Sequence, residues 1–235
     1  MLLSDIFRKL GHGELSSYFV GDELISTNKA VWPEIIDHIN TGLTNLHTKF
    51  PLIETEVMVQ QYEHIAKYNL DSRYAESNTA STEKYKYIKD SVFEPFTDNV
   101  LRIERIYSEC WEEIPLNDPN ECCSIFTSGY NQIQVPTPIK ENALLVVYRG
   151  DHTRIPVGVK DPTTVEVRVP HTLEEALLTY IAHRYLQGKN TENTSNLAAR
   201  AYAKYASICN DVEDKDLIRQ SHGGVNTHPC IQGWV

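Results

Sequence analysis

The chain has 235 residues, of which 41% are hydrophobic and 23% are charged, and its formal net charge at pH 7 is −10. This composition is that of a soluble globular protein with one large domain or two small ones. The acidic balance argues against an ordinary nucleic-acid-binding protein, because neutralising phosphates requires an excess of Lys and Arg.

Neither cysteine usage nor hydropathy predicts secretion or membrane insertion. The five cysteines are odd in number, and Cys122 and Cys123 are adjacent, so a disulfide framework is disfavoured and reduced thiols are expected. Charges interrupt the apolar residues at the N-terminus, which excludes a signal peptide. No run approaches the ~18 apolar residues of a membrane span.

Two amphipathic helices are predicted in the first fifty residues. Apolar residues from Leu3 to Leu10 recur at helical spacing, and Gly11 and Gly13 are expected to end this first helix. A polar loop follows. The second helix covers residues 33–50, with Pro33 at its first position and Pro51 as its stop. Its apolar face consists of Ile35, Ile39, Leu43, Leu46 and Phe50.

The middle of the chain changes to the alternating pattern of strands. A half-buried strand is predicted from Ile53 to Gln60, and residues 67–84 are predicted to form a long exposed loop. No helix-length crossover separates the later strands, so the sheet should be mostly antiparallel. These further strands are Tyr85–Ile88, Val100–Tyr107, Ile114–Leu116, Ser124–Thr127, Gln132–Val135, Leu144–Tyr148 and Val165–Val169.

A helix pair is predicted after Pro170. The first helix ends near Gly188, a natural residue just beyond a helix end, and Thr191 caps the second, which covers residues 192–214. The connection of three residues makes the two helices antiparallel neighbours. The inner side of the first helix contains Leu173, Leu177, Tyr180, Ile181 and Arg184.

The predicted fold class is α+β, with a mostly antiparallel sheet inserted into a helical body. The body comprises residues 1–51 and 171–215, the β domain residues 52–170, and a C-terminal arm residues 216–235. The interior of the body is predicted to contain Ile35, Ile39, Leu43, Leu46, Leu173, Leu177, Ile181, Tyr205 and Ile208.

The sequence contains no recognised catalytic or cofactor-binding motif, so neither catalysis nor a cofactor is predicted. Phosphate-binding loops, nucleophile elbows and metalloprotease motifs are absent from the sequence. Helical histidines such as His38, His47 and His183 are interpreted as surface or partly buried polar groups, and the pairs Glu112-Glu113 and Glu174-Glu175 as solvated surface. His222, His228 and Cys230 are the best metal candidates, but their spacing is not that of a structural zinc site, so we predict no metal.

The C-terminal arm lacks periodicity but keeps apolar residues. Its own composition does not offset the entropy of ordering it, whereas a near-terminal Trp234 is a suitable anchor in a partner. We therefore predict that the arm docks on another protein. The residues predicted to dock are Ile218, Arg219, His222, Val225, His228, Ile231, Trp234 and Val235.

Several stretches of the chain resemble the head-to-tail adaptor proteins of short-tailed bacteriophages, including the tail tubular protein A type. They are Gly42–Leu46, Asp90–Ile103, Pro115–Asp118 and the closing Gly233-Trp234-Val235. The order of helix, β insertion, helix pair and tail is also similar, so the likeness covers nearly the whole chain.

The resemblance implies a virion structural protein without catalysis and without a cofactor. It implies a homo-oligomeric ring of about a dozen copies. The helical body would form the ring wall, the arm would bind the portal protein, and the β domain would face the tail nozzle or tail tube protein. DNA would pass through the ring without specific binding, as a negative lumen favours.

Two other classes of function remain open from the residues themselves. The chain could be a binding module at the virion tip or tail, for example for a receptor or a sugar. It could also be a small hydrolase that uses the β insertion as a cleft, although no nucleophile lies beside a base at a readable spacing.

Overall fold

The computed structural model describes residues 1–189 and 191–218, and over these residues the fold class is α+β, as predicted. The helices are α1 (Leu3–His12), α2 (Glu23–Ser26), α3 (Trp32–Lys49), α4 (His171–Gln187) and α5 (Glu192–Asp214), with short 3-10 helices at Lys29–Val31 and Ser72–Tyr74. The strands are β1 (Glu54–Gln60), β2 (Lys67–Asn69), β3 (Ile88–Lys89), β4 (Val100–Tyr107), β5 (Glu113–Ile114), β6 (Phe126–Gly129), β7 (Gln132–Gln134) and β8 (Ala143–Gly150).

The helices form one body with its own hydrophobic core. Its long helices lie close to their predicted spans, because their apolar periodicity and caps are strong. Thr191 caps α5, since its hydroxyl oxygen accepts a hydrogen bond from the Thr194 amide. The α4–α5 pair is antiparallel, as predicted: the Tyr180 and Tyr205 rings meet at 5.2 Å, and His183 Nδ1 lies 3.0 Å from the Ala198 carbonyl oxygen closer to the connection between the helices.

Eight of the nine residues predicted for the interior of the body are buried, and Ile208 is partly buried against the same core. The prediction for Arg184 is wrong, because its side chain is exposed and the neighbouring Tyr185 occupies the core.

A glycine sets the distance between α3 and α4. A Cβ on Gly42 would lie 2.9 Å from Leu177 Cδ1, so its absence lets the two helices approach.

The strands form two antiparallel sheets, where the sequence predicted one. The larger sheet has the order β3-β1-β8-β4-β5, and the smaller sheet has the order β2-β7-β6. The two long strands β1 and β8 pair along their whole length, from Glu54 opposite Arg149 to Gln60 opposite Ala143. A second hydrophobic core, separate from that of the helices, lies between the sheets.

The prediction of an exposed loop over residues 67–84 is wrong for its first part. Residues Lys67–Asn69 form the edge strand β2, and Tyr68 is fully buried. The Tyr68 hydroxyl donates to the Tyr62 carbonyl, and the Tyr87 hydroxyl donates to the Asn69 carbonyl. Tyrosine therefore supplies this core while its polar tip bonds to the backbone.

The predicted strand Val165–Val169 is also wrong. This segment is extended, but its backbone bonds to the start of the chain and not to a sheet: Leu3 N donates to Val165 O at 2.9 Å, and Val167 N donates to Met1 O at 2.7 Å. Its valines pack against the helical core, together with Ile155 and Val159. Residues 155–169, which were assigned to the β domain, thus lie on the helical body.

The shorter strands are displaced from their predicted positions. Strand β3 begins only at Ile88, β5 ends at Ile114, and β6 begins two residues late at Phe126. Helix α1 continues through Gly11 to His12, and a short α2 lies where a polar loop was expected. Such boundaries depend on pairing partners and not on the local pattern alone.

Candidate functional site

The helical body and the larger sheet meet at a partly buried polar cluster, here called the junction. It consists of Asn40, Thr44 and His47 on α3 and of Asp151 and His152 directly after β8. Spacings of four and three place the α3 residues on one helix face. His47 is 2% exposed and His152 is 8% exposed, so these polar groups are removed from water.

Asp151 is the central acceptor of the junction. Its carboxylate accepts hydrogen bonds from the Thr44 hydroxyl at 2.9 Å and from the backbone amide and ring Nδ1 of His152, both at 2.8 Å. Burial alone would raise the pKa of this carboxyl. The hydrogen bonds outweigh that effect, so the pKa of Asp151 is lowered and the group stays ionised.

His152 joins this carboxylate to α3. Its Nε2 lies 3.2 Å from Asn40 Oδ1, which also accepts from the Ile155 amide, while Asn40 Nδ2 donates to the Ile155 carbonyl. Both ring nitrogens of His152 thus lie within hydrogen-bond distance of an oxygen atom. In a catalytic triad this second nitrogen faces a nucleophile; here it faces an amide oxygen, so the His-Asp pair joins two parts of the fold.

His47 lies beside His152, with ring centroids 5.8 Å apart. Its Nδ1 lies 3.3 Å from the Gly150 carbonyl. Burial lowers the pKa of His47, and the neighbouring His152 lowers it further, while the Gly150 contact and Asp151 oppose the change. His47 is therefore held neutral in the folded chain.

The lowered pKa of His47 predicts a stability that falls in mild acid. Because the unfolded chain has the higher pKa, near 6.5, it takes up the proton first. The contribution of neutral His47 to the free energy of unfolding is complete above pH ~6.5 and is lost as the pH falls toward the pKa that His47 has in the folded chain. Between pH 7.5 and pH 5.0, we expect the free energy of unfolding of the wild type to fall more than that of His47→Gln, because glutamine does not take up a proton. Urea unfolding at both pH values measures this difference, and a constant difference would contradict it.

Arg149 adds a second connection at the same end of the sheet. Its Nη1 donates to Thr48 O at 2.9 Å, which satisfies one of the last carbonyls of α3. Its Nη2 lies 2.8 Å from Glu104 Oε1 on β4. A cation at a helix C-terminus is favourable, so the sheet is held to α3 by charge as well as by the junction.

The prediction of a solvated surface is wrong for Glu174, whose side chain is only 14% exposed and makes structural contacts. Glu174 binds Lys9 of α1 at 2.5 Å and His171 at 2.7 Å, and these contacts lower its pKa despite the opposing effect of burial. Glu175 lies 2.9 Å from Lys204 of α5. Glu112 and Glu113 are exposed, as predicted.

A wide cleft on the β part is lined by residues that make no nucleophile–base pair. It measures about 710 Å³ and lies between β1, β8 and the segment 89–99. The described side chains that line it include neither His nor Cys. Asp90 in this cleft is bonded to the backbone amides of Ser77 and Phe96, so it holds a loop.

Three exposed aromatic residues mark the surface of the β part. Phe93 is 96% exposed, Trp111 is 72% exposed and Tyr130 is 68% exposed. Trp111 has a φ of 61°, in the left-handed region that costs a bulky residue about 1–2 kcal/mol. Residues held in such conformations cluster at functional surfaces.

Most residues of the predicted docking arm lie outside the described residues. This applies to Arg219, His222, Val225, His228, Ile231, Trp234 and Val235, and to the metal candidates His222, His228 and Cys230. Ile218 is described, and it packs partly buried against the helical core.

Among residues 1–189 and 191–218, His, Cys, Asp and Glu form no group that could hold a metal ion. No helix in this part of the chain is long and apolar enough to cross a membrane.

The junction was not predicted from the sequence. His47 was interpreted as a surface or partly buried polar group, no role was given to Asn40 or Thr44, and the Asp151-His152 pair stood in an unassigned segment. The available signal was the set of polar residues at positions 40, 44 and 47, which follow the apolar stripe at helical spacing.

Comparison with known proteins adds no assignment, because no family model and no curated protein matches the chain.

Proposed function

We propose that this chain is a virion structural protein, a head-to-tail adaptor that forms a ring between the portal protein and the tail nozzle or tail tube protein. Its work would be geometric: it would match one ring to another and leave a passage for DNA. No cofactor or catalytic residue enters this proposal. The resemblance of the quoted stretches to the adaptors of short-tailed phages supports it.

One observation carries the proposal: a helical body and a sheet domain, each with its own core, are held together by partly buried hydrogen bonds. Buried polar groups with satisfied bonds favour one relative orientation. A spacer between two rings needs such a fixed orientation, because it must transmit the position of one ring to the other.

The position of the C-terminal end of α5 constrains the arm. Lys49 at the end of α3 contacts Asn210 and Glu213, so α5 ends on the side of the body where the sheet is attached. An arm that binds a portal on the opposite side must return along α5, which is about 35 Å long. Residues 219–235 can span at most about 60 Å, which is enough.

The net charge of −10 supports the role of a passage for DNA. Phosphates are repelled by carboxylates, so DNA would move past such a wall without being retained. The charge also argues against a nucleic-acid-binding function for the free protein.

Truncation after Ile218 tests the portal contact. The variant keeps α5 and the packing of Ile218, so we expect it to fold with an unchanged circular dichroism spectrum. We expect its affinity for purified portal to fall by at least about 100-fold, because it lacks the anchors of the arm. The affinity is measured by mass photometry of the chain mixed with portal. A truncated chain that binds portal as well as the wild type contradicts the role of the arm.

The same mixture separates the other functions. An adaptor forms a closed ring on the portal, whereas a tip-binding module binds its ligand without the portal as a monomer or small oligomer. A hydrolase would lose a measurable activity in a His→Ala or Cys→Ala variant that still assembles. A wild-type chain that forms no complex with portal at any concentration would exclude the adaptor.

A further inference from the structure

The end of the larger sheet that lies away from the helical body forms a compact surface, here called the sheet tip. It consists of residues 108–113, which comprise the turn after β4 and the first residue of β5, and residues 139–142, which precede β8. The pairs Tyr107–Leu145 and Gln60–Ala143 lie at this end, whereas Val100–Gly150 lies at the junction. The length of β8 places the sheet tip about 25 Å from the junction.

The sheet tip presents apolar side chains to solvent. Trp111 is 72% exposed and Ile139 is 60% exposed. Of the four non-glycine residues with positive φ among the described residues, two lie here: Trp111 at 61° and Glu141 at 65°. Neither conformation is favoured by its residue type, so folding alone does not explain a tryptophan at this position.

Hydrogen bonds fix the sheet tip in this conformation. The Trp111 amide donates to Ser108 O at 3.0 Å, and the Ser108 amide donates to Glu112 O at 2.9 Å. The two turns are joined by the Ala143 amide, which donates to Glu109 Oε1 at 2.7 Å. Trp111 is therefore presented on a preorganised turn, which reduces the entropy lost on binding.

The charge around Trp111 is negative. The two turns contain Glu109, Glu112, Glu113 and Glu141, against the single lysine Lys140. Lys140 lies 3.4 Å from Glu141, so this lysine is paired within the tip. Such a surface is complementary to an apolar pocket with a basic rim, and it is repelled by anionic lipid and by nucleic acid.

We propose that the sheet tip binds the tail nozzle or tail tube protein, with Trp111 inserted into an apolar pocket whose rim carries Lys or Arg. This inference rests on the proposed adaptor function and names the chemistry of its second partner. Trp111 is the anchor, and the surrounding carboxylates orient the encounter. Aromatic anchors in the centre of a patch carry most of the affinity in protein interfaces.

The test uses the full chain, the portal protein and the purified nozzle protein of the same virus. We expect Trp111→Gly to lower the affinity for nozzle protein at least about 30-fold. Its melting temperature should be equal to that of the wild type or higher, because glycine adopts the left-handed region without strain. We expect Trp111→Phe to retain most of the affinity, and Glu112→Gln with Glu113→Gln to reduce the salt dependence of binding.

Tyr130→Ala is the matched control. This exposed aromatic lines a cleft with Thr48 and Arg149 at the junction end, so its loss should leave nozzle binding unchanged. Wild-type affinity in Trp111→Gly overturns the inference, as does a loss of ring formation on the portal in that variant, which would assign Trp111 to contacts between copies. Binding to neutral phosphatidylcholine vesicles that depends on Trp111 also overturns it.

Failure of this inference is distinguishable from failure of the adaptor proposal. A wild-type chain that forms a ring on the portal and binds the nozzle protein, together with a Trp111→Gly variant of unchanged nozzle affinity, overturns this inference and leaves the adaptor proposal standing. A wild-type chain that binds neither protein overturns both.

Discussion

Replacement of Asp151 by alanine is expected to lower the free energy of unfolding by about 3 kcal/mol, because it removes a charged acceptor of three hydrogen bonds. The partly buried Thr44 hydroxyl and the buried His152 ring would be left without their acceptor. Urea unfolding followed by circular dichroism at pH 7 measures the loss. The contribution of the carboxylate should be complete above pH ~4 and should disappear as the pH falls through the lowered pKa of Asp151.

Asp22→Ala is the control for this substitution. Asp22 is exposed, and its contacts to Arg8 and His12 are longer than 3.5 Å, so we expect no measurable change in stability. Equal stability of Asp151→Ala and the wild type would show that the junction does not hold the two parts of the fold together. It would also remove the main physical support for a rigid spacer.

Gly11→Ala is expected to destabilise the chain by about 2 kcal/mol, although alanine is the better helix former. A Cβ at this position would lie 2.3 Å from the Gly21 carbonyl oxygen, a backbone atom that no rotamer change can move. Either α1 or the turn that follows it must therefore shift. Thermal unfolding measures the effect.

Gly158→Ala provides the matched control, because its Cβ would meet nothing within 4 Å. We expect its melting temperature to be that of the wild type within error. Equal melting temperatures of Gly11→Ala and Gly158→Ala would mean that the contact between α1 and residue 21 is easily displaced.

The helices were predictable because each carries its own signal. Helix α5 has the predicted span, Glu192–Asp214, and α3 ends one residue before the predicted end. Apolar spacing, a capping threonine and flanking prolines are local features, so one stretch of sequence contains the whole reason for the element.

The sheets were less predictable because tyrosine conceals part of their core. Residues 67–84 were interpreted as a polar loop, yet Tyr68 is buried and Tyr74 stacks on Tyr87 at 4.7 Å. A tyrosine counts as half polar in any local pattern, and only the folded chain shows that its hydroxyl bonds to a backbone group. The chain has 13 tyrosines, and this abundance was the signal available from the sequence.

The junction was not predictable for a different reason. Thr44 and Asp151 are separated by more than a hundred residues, and neither lies in a motif. Their meeting depends on the pairing of β8 with β1, which brings Gly150 back to the point where the chain left α3. The same applies to Arg149, whose charge alone gave no indication that it caps a helix.

This return of the chain has a consequence for how the protein could have arisen. The Gly150 amide donates to the Ile53 carbonyl at 3.0 Å, so the two ends of the intervening segment are adjacent. A single genetic insertion at one surface turn of an ancestral all-helical protein would introduce both sheets without displacing any helix. Conversely, replacing residues 54–149 by a few glycines should leave a miniature protein whose remaining helices still fold.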